Sequence, residues 1–233
     1  MRKYRIPIGW PRPDPRHYRF PLPNAVWEYK LKPIEFVLLS YLCCCHSHRR
    51  NDEKVSAEAV AKAVHMTTGT VKKYLSSLAS RKLITDECFL TPAIQLTDDR
   101  MFFTLPNEIF LLNLPPSAFM VYAYLLLVED RRTHTCHPSY NTIANQTGMA
   151  RNTVMKSIGV LLDAKLIAME HSRYFDKHRM KWKGNNLYTI LPTQQAVNTH
   201  HQRKLRQLEL DAERRRISQR QEEYDRRHPR VFP

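Results

Sequence analysis

Phe20-Pro21-Leu22-Pro23-Asn24 returns as Phe103-Thr104-Leu105-Pro106-Asn107, 83 residues further along the chain. The same shift carries Ser56 onto Ser139, Met66 onto Met149, Thr70-Val71 onto Thr153-Val154 and Lys82-Leu83-Ile84 onto Lys165-Leu166-Ile167, with no gap in between. About 20 of the 65 aligned positions are identical. Self-similarity of this kind reads as two copies of one structural unit, and the fold follows from what that unit is.

Each copy opens on Leu-Pro-Asn and then offers a proline, Pro33 or Pro116, suited to the first turn of a helix, where a missing N–H costs nothing. Strongly apolar helices are expected over residues 34–45 and 117–128, as central core elements. Ser56 and Ser139 are suited to N-cap a second, short helix over 56–64 or 139–147. A tight turn containing His65-Met66 or Gly148-Met149 closes it. In the third helix Val71, Leu75, Leu78 and Ala79 match Val154, Ile158, Leu161 and Leu162, one apolar stripe at i, i+4, i+7, i+8. The opposite face carries Thr68, Lys72, Lys73 and Ser76, or Arg151, Asn152, Met155 and Lys156. Two helices joined by a short turn, the second polar and basic outside, fit a helix-turn-helix. Residues 167–174 and 187–191 flank a polar stretch with Gly184-Asn185 and read as a β-hairpin wing. The fold class is therefore mainly α with small β-hairpin wings: two tandem winged-helix domains followed by a charged C-terminal helix.

The boundaries place a Pro-rich basic arm at 1–19, the first winged helix at 20–102, the second at 103–192 and a charged helical or disordered tail at 193–233. The arm is too broken by proline for a helix. In the tail Leu205, Leu208, Ala212 and Ile217 are too sparse for a strong apolar face, so a solvated helix is expected, with self-association or a replication or transcription protein as its possible partner.

Within 233 residues, 37 Lys and Arg stand against 22 Asp and Glu, a net charge of +15 that asks for a polyanionic partner, nucleic acid before membrane. No apolar run approaches the length needed to cross a bilayer, and the N-terminus lacks a secretory signal, so the cytoplasm, in association with the nucleoid, is the expected location. The five cysteines do not form a disulfide framework. Cys43-Cys44-Cys45 fall opposite Leu126, Leu127 and Val128 in the repeat, which reads as apolar helix filling and not as a metal site. Without a Gly-rich phosphate loop, a nucleophile elbow or paired carboxylates, no enzyme and no cofactor is expected.

Met149-Ala150-Arg151-Asn152-Thr153-Val154, followed by Leu161 and Lys165-Leu166-Ile167, resembles the recognition-helix region of bacterial winged-helix regulators. It is also similar to modules of plasmid, phage and conjugative-element replication initiators, some with two winged helices in tandem. The resemblance covers about residues 20–191. It implies sequence-specific binding of double-stranded DNA, in transcriptional regulation or in replication initiation of a mobile element. It also implies base readers at the start of the third helix: Arg151, Asn152 and Thr153 in copy two, Thr67, Thr68 and Thr70 in copy one. Arg and Asn pair with the edges of guanine and adenine. Lys72, Lys73 and Lys156 suit phosphates.

The wings differ in charge. Copy two presents Arg173, Lys177, Arg179, Lys181 and Lys183 against Asp176, interleaved with Tyr174, Phe175 and Trp182, a segment able to grip phosphates. Copy one presents Asp86, Glu87, Asp98 and Asp99 against Arg100. Copy two is the expected stronger reader. The alternative is a protein- or RNA-interaction module whose winged helices are structural.

Overall fold

The computed structural model describes residues 19–48, 56–85, 90–91, 102–176 and 181–227. The basic arm before Arg19, and with it all of that arm except Arg19, lies outside the described residues.

The first segment runs β1 (Arg19–Pro23), a 3-10 turn (Asn24–Trp27), α1 (Pro33–His48), α2 (Ala57–Ala63) and α3 (Thr68–Ser80). The second runs β2 (Phe102–Pro106), a 3-10 turn (Asn107–Leu112), α4 (Pro116–Leu127), β3 (Thr135–Cys136), α5 (Tyr140–Thr147) and α6 (Arg151–Asp163). Strands β4 (Ile167–Asp176) and β5 (Lys181–Ile190) and the long helix α7 (Thr193–Arg227) complete the chain. The architecture is mainly helical with two small antiparallel sheets, β1-β2 and β3-β5-β4, an arrangement consistent with a winged helix.

Local chemistry sets the element ends. Ser56 and Ser139 cap α2 and α5, each hydroxyl accepting from the backbone N–H three residues on, Ala59 at 3.1 Å and Thr142 at 3.1 Å. Both third helices end alike. Lys82 and Lys165 take left-handed φ of 60° and 58°, and Leu83 and Leu166 donate their N–H groups back to the carbonyls of Leu78 and Leu161. That is the αL closure that satisfies carbonyls left over at a helix end. His65 and Gly148 occupy the matching left-handed position between the second and third helices, at φ 54° and 68°.

Helix α4 is apolar on nearly every side and α1 largely so, apart from buried Glu35 and Ser40 and an exposed polar end, and both are buried accordingly. Cys43, Cys44 and Cys45 lie among the buried residues of α1, where burial pushes the Cys43 thiol up to about 12 and raises Cys44 well above the ordinary thiol range. They pack as small apolar groups.

The contacts between the two segments are self-complementary under the 83-residue shift. In the β1-β2 pair Phe20 lies opposite Leu105 and Leu22 opposite Phe103, about a centre at Pro21 and Thr104. Proline is tolerated there because each strand keeps one free edge. Trp27 meets Tyr124 edge-on at 5.7 Å, and Tyr41 meets Phe110 edge-on at 5.2 Å. Trp27 stacks on Phe103 at 6.1 Å, and Phe20 on Phe110 at 5.8 Å. Phe36 of α1 meets Phe119 of α4, its own counterpart, at 6.2 Å. One aromatic core thus joins both segments, with α1 against α4 at its centre.

Three features differ from the expectations. Gly184 and Asn185 do not form the hairpin turn: they pair within the ladder with Arg173 and Ser172, and the strands run on to Asp176 and Lys181. Tyr174, Phe175 and Trp182 favour extended backbone strongly enough to carry the ladder past the Gly-Asn pair. Strand β3, which pairs with β5 through Thr135 and Cys136, stands where a loop was expected. The tail is helical through Arg227, and its first turns are anchored: Ala196 and Val197 are buried, and Arg203 Nη1 donates to the Asp163 carbonyl at 3.2 Å. Beyond that point Leu205, Leu208 and Ile217 are exposed, as the thin apolar pattern implies. No helix among the described residues is long and apolar enough to cross a membrane.

Candidate nucleic-acid interface

The buried stripe of each third helix decides what is left outside. Val71, Leu75 and Leu78 hold α3 to the core, and Val154, Ile158 and Leu161 hold α6. Rotating from that stripe, Lys72, Lys73 and Ser76 on α3 and Arg151, Asn152, Met155 and Lys156 on α6 are exposed. Thr68, Thr70 and Thr153 are half-buried.

The two helix starts are built differently. In α3 the N-cap is Thr67, whose hydroxyl accepts from the Thr70 N–H at 3.3 Å and bonds the Thr70 hydroxyl at 2.9 Å. The two threonines therefore spend part of their hydrogen-bonding capacity on each other. In α6 the N-cap is Ala150, with no side-chain cap. The first-turn amides of α6 lack that partner, and a helix N-terminus with free N–H groups favours an anion.

Charge follows the same division. Lys72 lies 3.3 Å from Glu58 of α2, and the carboxyl of Glu58 is held below its ordinary range by its own backbone N–H and by Lys72. Lys73 sits over the Tyr74 ring at 5.8 Å. At the positions of Glu58 and Lys72 the second segment has Asn141 and Met155, so that ion pair has no counterpart there. Arg151 lies over the Tyr140 ring at 5.8 Å, and the Tyr140 hydroxyl reaches the Met169 sulfur at 3.7 Å. A cation on an aromatic face next to an uncapped helix start is held in place by the ring's electrostatic attraction.

Strands β4 and β5 form the wing. Its base is pinned: His171 Nδ1 lies 2.9 Å from Asn186 Oδ1, and Asn186 Nδ2 donates to the Tyr188 hydroxyl at 2.8 Å. Burial raises the Tyr188 phenol above its ordinary range, so it stays a neutral partner. Arg173 lies opposite Gly184, Lys183 opposite Tyr174 and Lys181 opposite Asp176 in the ladder. Lys177 and Arg179 lie outside the described residues, as do Asp86, Glu87, Asp98, Asp99 and Arg100 of the first segment. Among the described residues of that stretch, Ile84 and Leu90 form an antiparallel bridge, and the Thr91 N–H donates to the Leu83 carbonyl at 3.1 Å.

Of the expected site residues, Arg151, Asn152, Thr153 and Lys156 thus share one helix start, with Arg151 linked through Tyr140 to Met169 of β4, and Thr67, Thr68, Thr70, Lys72 and Lys73 share the other. Three contributions escaped the sequence reading: the missing cap at Ala150, the Tyr140 platform and the acidic offset at Glu58. The last was within reach, because Glu58 stands two residues after the capping serine where its counterpart is neutral.

Residues 112–167 match the model of a family described as a helix-turn-helix domain. The matched stretch takes in α4, β3, α5 and α6, and ends at the first residue of β4. No curated protein matches the chain. The match supports a helix-turn-helix DNA-binding module in this half of the molecule.

Proposed function

We propose that the chain is a non-enzymatic, sequence-specific double-stranded DNA-binding protein made of two tandem winged-helix domains, over 20–102 and 103–192. The second is the stronger reader. The observation that carries this reading is the start of α6: an uncapped helix N-terminus flanked by exposed Arg151 and Asn152, inside the stretch that matches a helix-turn-helix domain. Arg151, Asn152 and Thr153 read base edges, while Lys156 and the wing cations Arg173, Lys177, Arg179, Lys181 and Lys183 meet phosphates. Thr67, Thr68, Thr70, Lys72 and Lys73 form a second, weaker reading surface. The biological setting is transcriptional regulation, or replication initiation of a mobile element, in a bacterial cytoplasm at the nucleoid. The net charge of +15 supports the polyanionic partner.

An electrophoretic titration of the full chain against duplex DNA, single-stranded DNA and RNA tests the class, and the expected order puts duplex first. Preference for RNA, or for none of the three, supports the alternative of an interaction module. Neutralising Lys177, Arg179, Lys181 and Lys183 together weakens duplex binding and flattens its salt dependence by about 0.9 log unit for each phosphate that a cation no longer neutralises. A slope equal to that of the parent chain removes the wing from the interface.

A further inference from the structure

We infer that one chain, as a monomer, reads an inverted pair of unequal DNA half-sites. The inference rests on the duplex reading above and adds the geometry of the target.

The self-complementary core is the basis. Phe20 pairs with Leu105 while Leu22 pairs with Phe103; Trp27 meets Tyr124 while Phe110 meets Tyr41. In each case residue i contacts the counterpart of j, and j contacts the counterpart of i. Phe36 touches Phe119, its own counterpart. This is the contact pattern of an isologous interface, produced by a two-fold relation and not by translation along a line. Here it is closed within a single polypeptide.

Both reading helices hang from that core in the same way. α3 packs on α1 and α6 packs on α4, the turns ahead of them share the left-handed position at His65 and Gly148, and they end in matching αL closures at Lys82 and Lys165. The two-fold relation therefore extends from the core to the helix-turn-helix units. Duplex DNA has two-fold axes perpendicular to its own axis, so two heads related by a two-fold read half-sites in opposite orientation. Heads related by translation read direct repeats.

The half-sites differ because the heads differ. α6 offers Arg151 and Asn152, which discriminate guanine and adenine. α3 offers Thr68, with Lys72 turned toward Glu58. The surface that a homodimer of one winged helix would use is already filled, since Phe36 and Phe119 are buried. No second chain is needed to complete the pair.

Selection of the full chain on a random duplex library, followed by native mass spectrometry on the enriched duplex, tests this. The expected motif is an imperfect inverted repeat bound one chain per duplex. Reversing one half-site lowers affinity on the order of tenfold or more, as disrupted base contacts do. The double substitution Arg151→Ala/Asn152→Ala erases sequence preference in one half only, and Thr68→Ala changes preference in the other. Both alter exposed or half-buried helix positions, and circular dichroism checks that the helices persist. A direct repeat, a lone half-site or two chains per duplex overturns the inference while duplex binding stands. Failure to enrich any duplex overturns it together with the function it rests on.

Discussion

If the start of α6 meets DNA as proposed, Ala150 is the residue at which stability and binding pull apart. A capping hydroxyl there would satisfy an α6 amide, as Thr67 does for α3. Ala150→Ser is expected to raise stability by about 1 kcal/mol in chemical denaturation. The same hydroxyl competes with a phosphate for the first-turn N–H groups, so duplex affinity is expected to fall in a titration at fixed salt. A protein that gains both stability and affinity from Ala150→Ser does not use those amides on DNA. Stability given up beside a binding surface is a common signature of function. Seen from the sequence, Ala150 is one more small residue, and only the comparison with Thr67 at the matching position marks it.

At the scale of elements, the two third helices are fastened by different chemistry. Glu35, buried at the start of α1, accepts from the Lys32 N–H at 2.8 Å, from the Ser77 hydroxyl at 2.7 Å and from Arg81 Nη1 at 3.2 Å, so one carboxylate ties α1 to the end of α3. The matching positions of the second segment are Ala118, Val160 and Ala164. There Val160 and Ala164 line a cavity of about 210 Å³ with Ala196, His200 and Arg203 of α7. Glu35→Ala removes the acceptor of the Ser77 hydroxyl and the Lys32 N–H and leaves Arg81 with the Tyr29 carbonyl, and is expected to cost about 1–3 kcal/mol, read from the denaturation midpoint, with Glu35→Gln losing less. The foot of α7 also carries a pH dependence. His65 is held below the ordinary histidine range by burial and by Lys204, and His200 by burial, then Lys204, His65, Arg203 and His201. Depressed folded pKa values mean that the unfolded chain takes up these protons first. The neutral imidazoles thus contribute stability that is complete above about pH 6.5 and is lost as pH falls toward their folded values. Between pH 7.5 and 5.5 the melting temperature of the parent is expected to drop further than that of His65→Asn/His200→Gln, where Asn tolerates the left-handed backbone of position 65. Equal drops refute this. Helices of this kind were legible in the sequence because periodicity and Ser caps are local signals. Strand β3 and the reach of the wing were not: two paired residues carry no pattern, and a Gly-Asn pair looks like a turn until the flanking aromatics are weighed against it.

At the scale of the whole molecule, the repeat announces two units but says nothing of how they meet. The offset of 83 residues is written in the sequence, whereas the crossing of Trp27 to Tyr124 and of Phe110 to Tyr41 appears only in three dimensions. Independent units would unfold separately, each midpoint answering only to substitutions in its own half. A shared aromatic core requires the opposite, because Phe36 and Phe119 are buried against each other. Phe36→Ala and Phe119→Ala are each expected to cost about 3–5 kcal/mol and to shift a single cooperative transition followed by both tryptophan fluorescence and circular dichroism. In the double variant, coupling of about 0.5–1.5 kcal/mol remains after the two single-variant effects are subtracted, the ordinary worth of an edge-on aromatic pair. Two transitions, with only one moved by each substitution, would mean that the halves fold alone. The contact at Phe36 and Phe119 would then be too weak to hold the reading helices in a fixed two-fold relation.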